Sequence, residues 1–139
     1  MAAKDIFHDG VKIALQKDGW TITDDPLHLR LSGVIDLYID LGAEKLVAAE
    51  KDGQKIAVEI KSFLGASTIS DFHHALGQFT NYRYALEDTE PDRTLYLAIP
   101  LDVHAEFFTL PFIQSVVLRS QLKLIVYDAI REEIAQWHP

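Results

Sequence analysis

The stretch Glu44–Phe63, EKLVAAEKDGQKIAVEIKSF, decides the fold. It reads as a strand from Leu46 to Lys51, a two-residue Asp52-Gly53 turn, and a second strand from Gln54 to Phe63. Asp-Gly suits a type I′ turn, whose two central residues both need positive φ. Counting outward from that turn sets Glu59 against Leu46 and Lys61 against Glu44, each facing pair sharing one side of the sheet. Glu59 and Lys61 are two residues apart, so they project from the same face. A carboxylate and an ammonium on an otherwise apolar strand are costly to bury without a role. The bland reading is an exposed ion pair on a sheet edge, worth about 0–1 kcal/mol.

The flanks extend this hairpin into a layered domain. Residues 3–18 carry Ile6, Phe7, Val11, Ala14 and Leu15 at helical spacing, and Gly19 supplies the stop. Trp20–Thr23 reads as a short strand closed by Asp24-Asp25-Pro26. Leu27, Leu29 and Leu31 alternate with His28 and Arg30, the pattern of a strand with one wet face. After a Ser32-Gly33 turn, Val34–Leu41 is again strand-like, so an antiparallel meander is expected to lead into the hairpin.

Beyond Phe63, Gly65-Ala66-Ser67 breaks the strand, and Ser67 or Ser70 caps a helix over about residues 69–86. Phe72, Leu76, Phe79, Tyr82 and Leu86 share one face of it. Thr94–Ile99 reads as a strand buried on both faces, which suits a parallel crossover from the Glu59 strand. Residues 102–120 look helical with a break near Pro111; Phe107, Phe108 and Phe112 are expected in the core, the alternative being an exposed partner surface. Lys123–Tyr127 and Glu133–Trp137 give two last strands. The expectation is one domain over residues 1–139 of α/β (α+β) class. Its mixed β-sheet has flanking helices, in the order α-β-β-β-α-β.

Apolar residues form 48% of the chain and charged residues 24%, ordinary values for a globular protein. There is no cysteine, which excludes disulfides and thiolate zinc sites. No apolar run is long enough to span a bilayer and the first residues lack a signal-peptide pattern, so a cytoplasmic protein with no membrane partner is expected. A net charge of −8 argues against a free-standing, high-affinity DNA binder. It leaves room for a local basic patch and for a basic partner. No glycine-rich loop offers to cradle a phosphate.

Glu59-x-Lys61 on the second strand of a hairpin, preceded by acidic residues, resembles the PD-(D/E)xK nuclease motif. The resemblance implies a restriction endonuclease-like fold, two carboxylates holding Mg²⁺, and a lysine that helps activate water. Oxygen ligands suit such a hard cation. The aspartate usual in that family is expected near position 46, which is leucine here. Glu44, one pair along the same face, or Asp40, of the same parity beyond Gly42, is the implied replacement. Gln78 and Tyr82 lie four apart on the following helix, one above the other. Their order resembles the extra motif of RecB-type nucleases, which implies DNA contact and support of the metal residues. A packed tyrosine with a surface amide is the plainer reading. On the first helix His8, Asp5 and Asp9 are further candidates, because related nucleases carry an acidic residue there; a solvated face is the alternative. His73 and His74 are adjacent, so their rings point about 100° apart and suit surface or partner contacts rather than one shared ion.

A longer resemblance covers most of the chain. The segments KDIFHDGVKIALQKDGWTITDDP, YIDLGAEKLVAAEKDGQKIAVEIKSFLGAS, ALGQFTNYRYAL, PDRTLYLAIP and IAQW are similar to the XisH proteins of cyanobacteria. These are controlling factors for excision of the fdxN element in differentiating heterocysts. The resemblance implies DNA, a companion XisI-type protein and a site-specific recombinase as partners. Two functions follow from it: a metal-dependent DNA endonuclease, or a catalytically inactive nuclease-fold module that docks a partner and assists the recombinase. Leu46 and the charge of −8 favour the second. A homodimer through edge strands or the Phe107 segment is a further expectation.

Overall fold

The computed structural model describes residues 3–31, 37–38 and 46–138, with the backbone alone at 3–6, 30–31 and 37–38. Its organising hairpin forms as the turn residues dictate. Asp52 and Gly53 take φ of 52° and 80°, and β4 (Leu46–Lys51) pairs antiparallel with β5 (Gln54–Ile60). Nothing lies within 4 Å of a Cβ built on Gly53, so glycine is needed there for its φ and not for space. The register sets Leu46 against Glu59 and Lys51 against Gln54, as counted from the sequence.

Around the hairpin a six-stranded mixed sheet grows in the order β1 (Thr21–Asp24), β4, β5, β6 (Arg93–Pro100), β7 (Leu124–Asp128) and β8 (Glu133–His138). Helix α1 (Ala3–Lys17) precedes β1, which joins the sheet directly beside β4. Helix α2 (Thr68–Thr89) links β5 to the parallel strand β6. Strand β7 adds in parallel, and β8 returns antiparallel along the edge. The elements that build the sheet therefore follow the expected order α-β-β-β-α-β before the last two strands are added.

The expected meander is corrected. Strands β2 (Arg30–Leu31) and β3 (Leu37–Tyr38) pair with each other in a separate two-stranded sheet. Leu27 and Leu29 lie outside any strand, although both are buried and His28 between them is exposed. Their alternation records burial against the core. The link to the main sheet here is the Leu27 N–H, which donates to the Leu46 carbonyl at 2.7 Å. The remainder of the proposed Val34–Leu41 strand lies outside the described residues.

Both faces of the sheet are covered, which explains why β4 to β7 read as continuous apolar runs. On one face Val47, Ala49, Val58, Ile60 and Ile125 pack against Val11 and Leu15 of α1. On the other, Leu46, Ala48, Ala57, Leu97 and Leu124 pack against Phe72, Ala75, Phe79 and Tyr82 of α2. Ser67 caps α2, its hydroxyl accepting from the Ser70 N–H at 3.3 Å. Trp137 anchors the edge strand on the α1 face, its ring 5.7 Å from Trp20 and 5.1 Å from Tyr96.

Between β6 and β7 the chain runs through α3 (Leu101–Val103), a π-helical turn at His104–Phe108, and α4 (Pro111–Arg119). Proline occupies the first turn of α4, where its missing N–H costs nothing. The aromatic trio divides. Phe108 is buried 5.6 Å from Phe72 and 5.8 Å from Phe63, and Phe107 packs on Phe72 at 5.4 Å. Phe112 is 70% exposed, so its expected core position is corrected; it faces away from the ring cluster that its neighbours join. Among the described residues, no single helix is long and apolar enough to cross a membrane.

Candidate functional site

Strand pleat and sheet position fix the environment of Glu59. Alternation along β5 puts Ile56, Val58 and Ile60 on the α1 face, and therefore Ala57 and Glu59 on the α2 face. Across the sheet Glu59 is flanked by Leu46 on β4 and Leu97 on β6. The carboxylate is 0% exposed in the middle of the six strands. The reading of an exposed pair at a sheet edge is thereby overturned: β5 is an interior strand.

Lys61 continues the same face one pleat further. Its N–H donates to the Ala98 carbonyl at 3.0 Å, prolonging the parallel ladder, and the residue is 8% exposed. Immediately beyond, Phe63 takes a φ of 57°, uncommon for a residue with a side chain. That left-handed step turns the chain away from the sheet and sends the Phe63 ring onto Phe108.

Helix α2 brings the other two candidates to this layer. Gln78 is 5% exposed and Tyr82 is 1% exposed, on the buried side of the helix that covers the Glu59 face. The plainer expectation for Gln78, a surface amide, is corrected by its burial. Glu59, Lys61, Gln78 and Tyr82 are all engaged with neighbours. A carboxylate, an ammonium, an amide and a phenol thus share one buried layer between sheet and helix, where the low dielectric strengthens each polar contact.

The remaining candidates separate from this layer. Asp40 and Glu44 lie outside the described residues. Helix α1 packs on the opposite face, and His8 there shares a 2.7 Å hydrogen bond with Asp25. Lys12 also reaches Asp25, at 2.6 Å. Burial raises the Asp25 pKa, yet the hydrogen bonds from Lys12 and His8 and their charges outweigh it, so the carboxyl sits below its usual value. Asp9 is exposed, and Asp5 is described only by its backbone. His73 and His74 are exposed on α2, as surface residues should be.

Among the described residues no group of three His, Asp or Glu side chains converges on one point. Glu59 is the one carboxylate placed in this buried layer, and magnesium is commonly held by one or two carboxylates with its other positions on water and phosphate. The sequence offers Asp40 or Glu44 as a second carboxylate.

One cluster escaped the sequence reading. Arg83 of α2, His104 of the π-helical turn, Lys123 just before β7 and His138 of β8 line one cavity. No local spacing joins them, so only the register of the sheet and the path of α2 bring them together.

The XisH protein family model matches residues 1–135. Among solved structures, the fdxN element excision controlling factor protein from Anabaena variabilis is 54% identical to this chain. That alignment covers 97% of this chain and 99% of the other, with a TM-score of 0.87. An XisH family protein from Nostoc punctiforme is 51% identical over 97% of this chain and 100% of its own, with a TM-score of 0.88. A comparison with curated proteins gives no match. Family model and solved relatives agree over almost the whole length, and the chain belongs to the XisH family.

Proposed function

We propose that this protein controls site-specific excision of a DNA element, and that it acts through a metal-dependent site of PD-(D/E)xK type on a restriction endonuclease-like fold. The single observation that carries this reading is the burial of Glu59 at the centre of the sheet. Lys61 shares its face, and Gln78 and Tyr82 lie on the helix that covers it. The α-β-β-β-α-β order and the 54% identical excision controlling factor support it.

Glu59 with Glu44 or Asp40 would hold Mg²⁺, whose chemistry is to acidify a bound water and neutralise charge on a phosphodiester. Lys61 orients and polarises the attacking water. Gln78 and Tyr82 hold the carboxylate layer in place and present donors toward the DNA. A companion XisI-type protein and a site-specific recombinase complete the excision reaction, which takes place in the cytoplasm.

One observation favours a second reading. The residue facing Glu59 across the hairpin is Leu46, where the nuclease family carries an aspartate. In this version the fold survives as a binding module that docks the companion protein and does no chemistry. Incubating supercoiled plasmid with the wild type and with Glu59→Gln, in Mg²⁺ and in Mn²⁺, separates the two. Nicking by the wild type alone supports the endonuclease. Equal silence from both proteins, with a stable complex formed with the companion protein, supports the module.

A further inference from the structure

The transverse rows of the sheet lead from Glu59 to a second site. Glu59 on β5 faces Leu97 on β6, Leu97 faces Leu124 on β7, and Leu124 faces His138 on β8. His138 therefore stands on the same face as Glu59, three strand spacings away, or about 14 Å. At that edge of the sheet lies a cavity of about 620 Å³.

Its lining is unlike the rest of this chain. Arg83 and Lys123 supply two permanent positive charges, and His104 and His138 supply two imidazoles. Among the described residues that line it there is no aspartate or glutamate, although the chain carries 21 of them. Nor does any described carboxylate form an ion pair with these four residues. Arg83 spends one N–H on the Ser120 carbonyl at 2.8 Å, which fixes the guanidinium and leaves most of its five donors for another acceptor. Among the described residues its lining carries fixed cations and no carboxylate; Glu87 lies outside it, in the adjoining pocket that Arg83 and Lys123 also line.

One wall is made of flat rings. The π-helical turn stacks His104 on Phe108, 6.4 Å apart and 9° from parallel, and His138 stacks on His104 at 5.3 Å. Burial, with a smaller contribution from His138, lowers the His104 pKa below its usual value. Phe108, Leu122 and Leu124 give the inner end an apolar floor.

We propose that this cavity binds a phosphate-bearing ligand of the nucleotide class, with Arg83 and Lys123 holding the phosphate and the His104–Phe108 wall receiving a planar ring. Guanidinium and ammonium groups are the usual partners of phosphate oxygens, and each charge-assisted bond is stronger than a neutral one. The volume admits a ring and a phosphate together. The same chemistry comes from a free nucleotide or from one phosphate and base of a strand that passes Glu59.

The test is calorimetric titration of the whole protein with inorganic phosphate, with dAMP and with a short single-stranded DNA. EDTA is present throughout, so that metal-dependent contacts at Glu59 do not contribute. We expect dAMP or the strand to bind better than inorganic phosphate. Lys123→Gln should weaken that binding by about tenfold, and Lys123→Arg should retain it. Lys123-dependent binding of dAMP assigns a free nucleotide, and Lys123-dependent binding of the strand alone assigns a backbone phosphate. Silence from all three probes overturns the site, as does a Lys123→Gln protein that binds as tightly as the wild type. Inorganic phosphate binding as well as dAMP overturns the ring wall.

Discussion

Leu46 stands directly across the β4–β5 ladder from Glu59, and both residues turn to the face covered by α2. The methyl groups of a leucine occupy the place from which a second carboxylate would meet the same cation. This pair bears on the proposed metal site, because a hard divalent ion takes oxygen ligands and position 46 offers carbon.

Replacing that carbon by oxygen is a direct experiment. Leu46→Asp should tighten Mn²⁺ binding relative to the wild type. It should also lower the stability of the metal-free protein by about 3 kcal/mol, since Leu46 is 3% exposed and the new charge lies beside Glu59. Thermal unfolding with and without Mn²⁺ checks both effects. A variant whose melting temperature Mn²⁺ leaves unmoved contradicts the proposed geometry.

The divided aromatic trio gives a stability contrast. Phe108 is 3% exposed and touches Phe63, Phe72 and Phe107, whereas Phe112 is 70% exposed. Phe108→Ala should cost about 3–5 kcal/mol. Phe112→Ser should change stability by no more than about 0.5 kcal/mol. Urea unfolding of the two variants measures the difference, and equal losses would contradict the placement of both rings.

The histidine stack makes stability depend on pH with a definite sign. Burial, and secondarily His138, lower the pKa of His104 in the folded chain below the ordinary value of about 6.5. The unfolded chain then binds this proton at a higher pH than the folded chain. Above about pH 6.5 both forms are neutral and nothing is lost; below it stability falls until pH passes the folded pKa. His104→Phe should flatten the fall in melting temperature between neutral pH and about pH 5.5. A variant that loses stability as steeply as the wild type would contradict the assignment.

Much of this arrangement was legible because its rules are local. Asp52-Gly53 admits a narrow choice of turn, and the turn fixes the facing partner of Glu59. Periodicity of two placed Lys61 on the face of Glu59, and periodicity of 3.6 set Phe72, Phe79, Tyr82 and Leu86 on the buried side of α2. The features that escaped depend on long-range assembly. Leu27 and Leu29 alternate like a strand because one side of the segment is buried, yet neither lies in a strand, and Leu27 meets β4 through its N–H on the Leu46 carbonyl. Nothing near His8 reveals that its helix lies on the far side of the sheet from Glu59. The cavity of Arg83, His104, Lys123 and His138 draws on residues far apart in the chain, which a linear pattern does not join.

The measurement that bears most directly on the proposed site is calorimetric titration of Mg²⁺ and Mn²⁺ into the wild type and into Glu59→Gln. Glutamine keeps the shape of the buried side chain and removes its charge, so loss of binding reports the ligand and not the fold. The account predicts one saturable site in the wild type and none in Glu59→Gln, with the variant still unfolding cooperatively. Equal binding by the two proteins, or none by the wild type even when DNA is present, would contradict it.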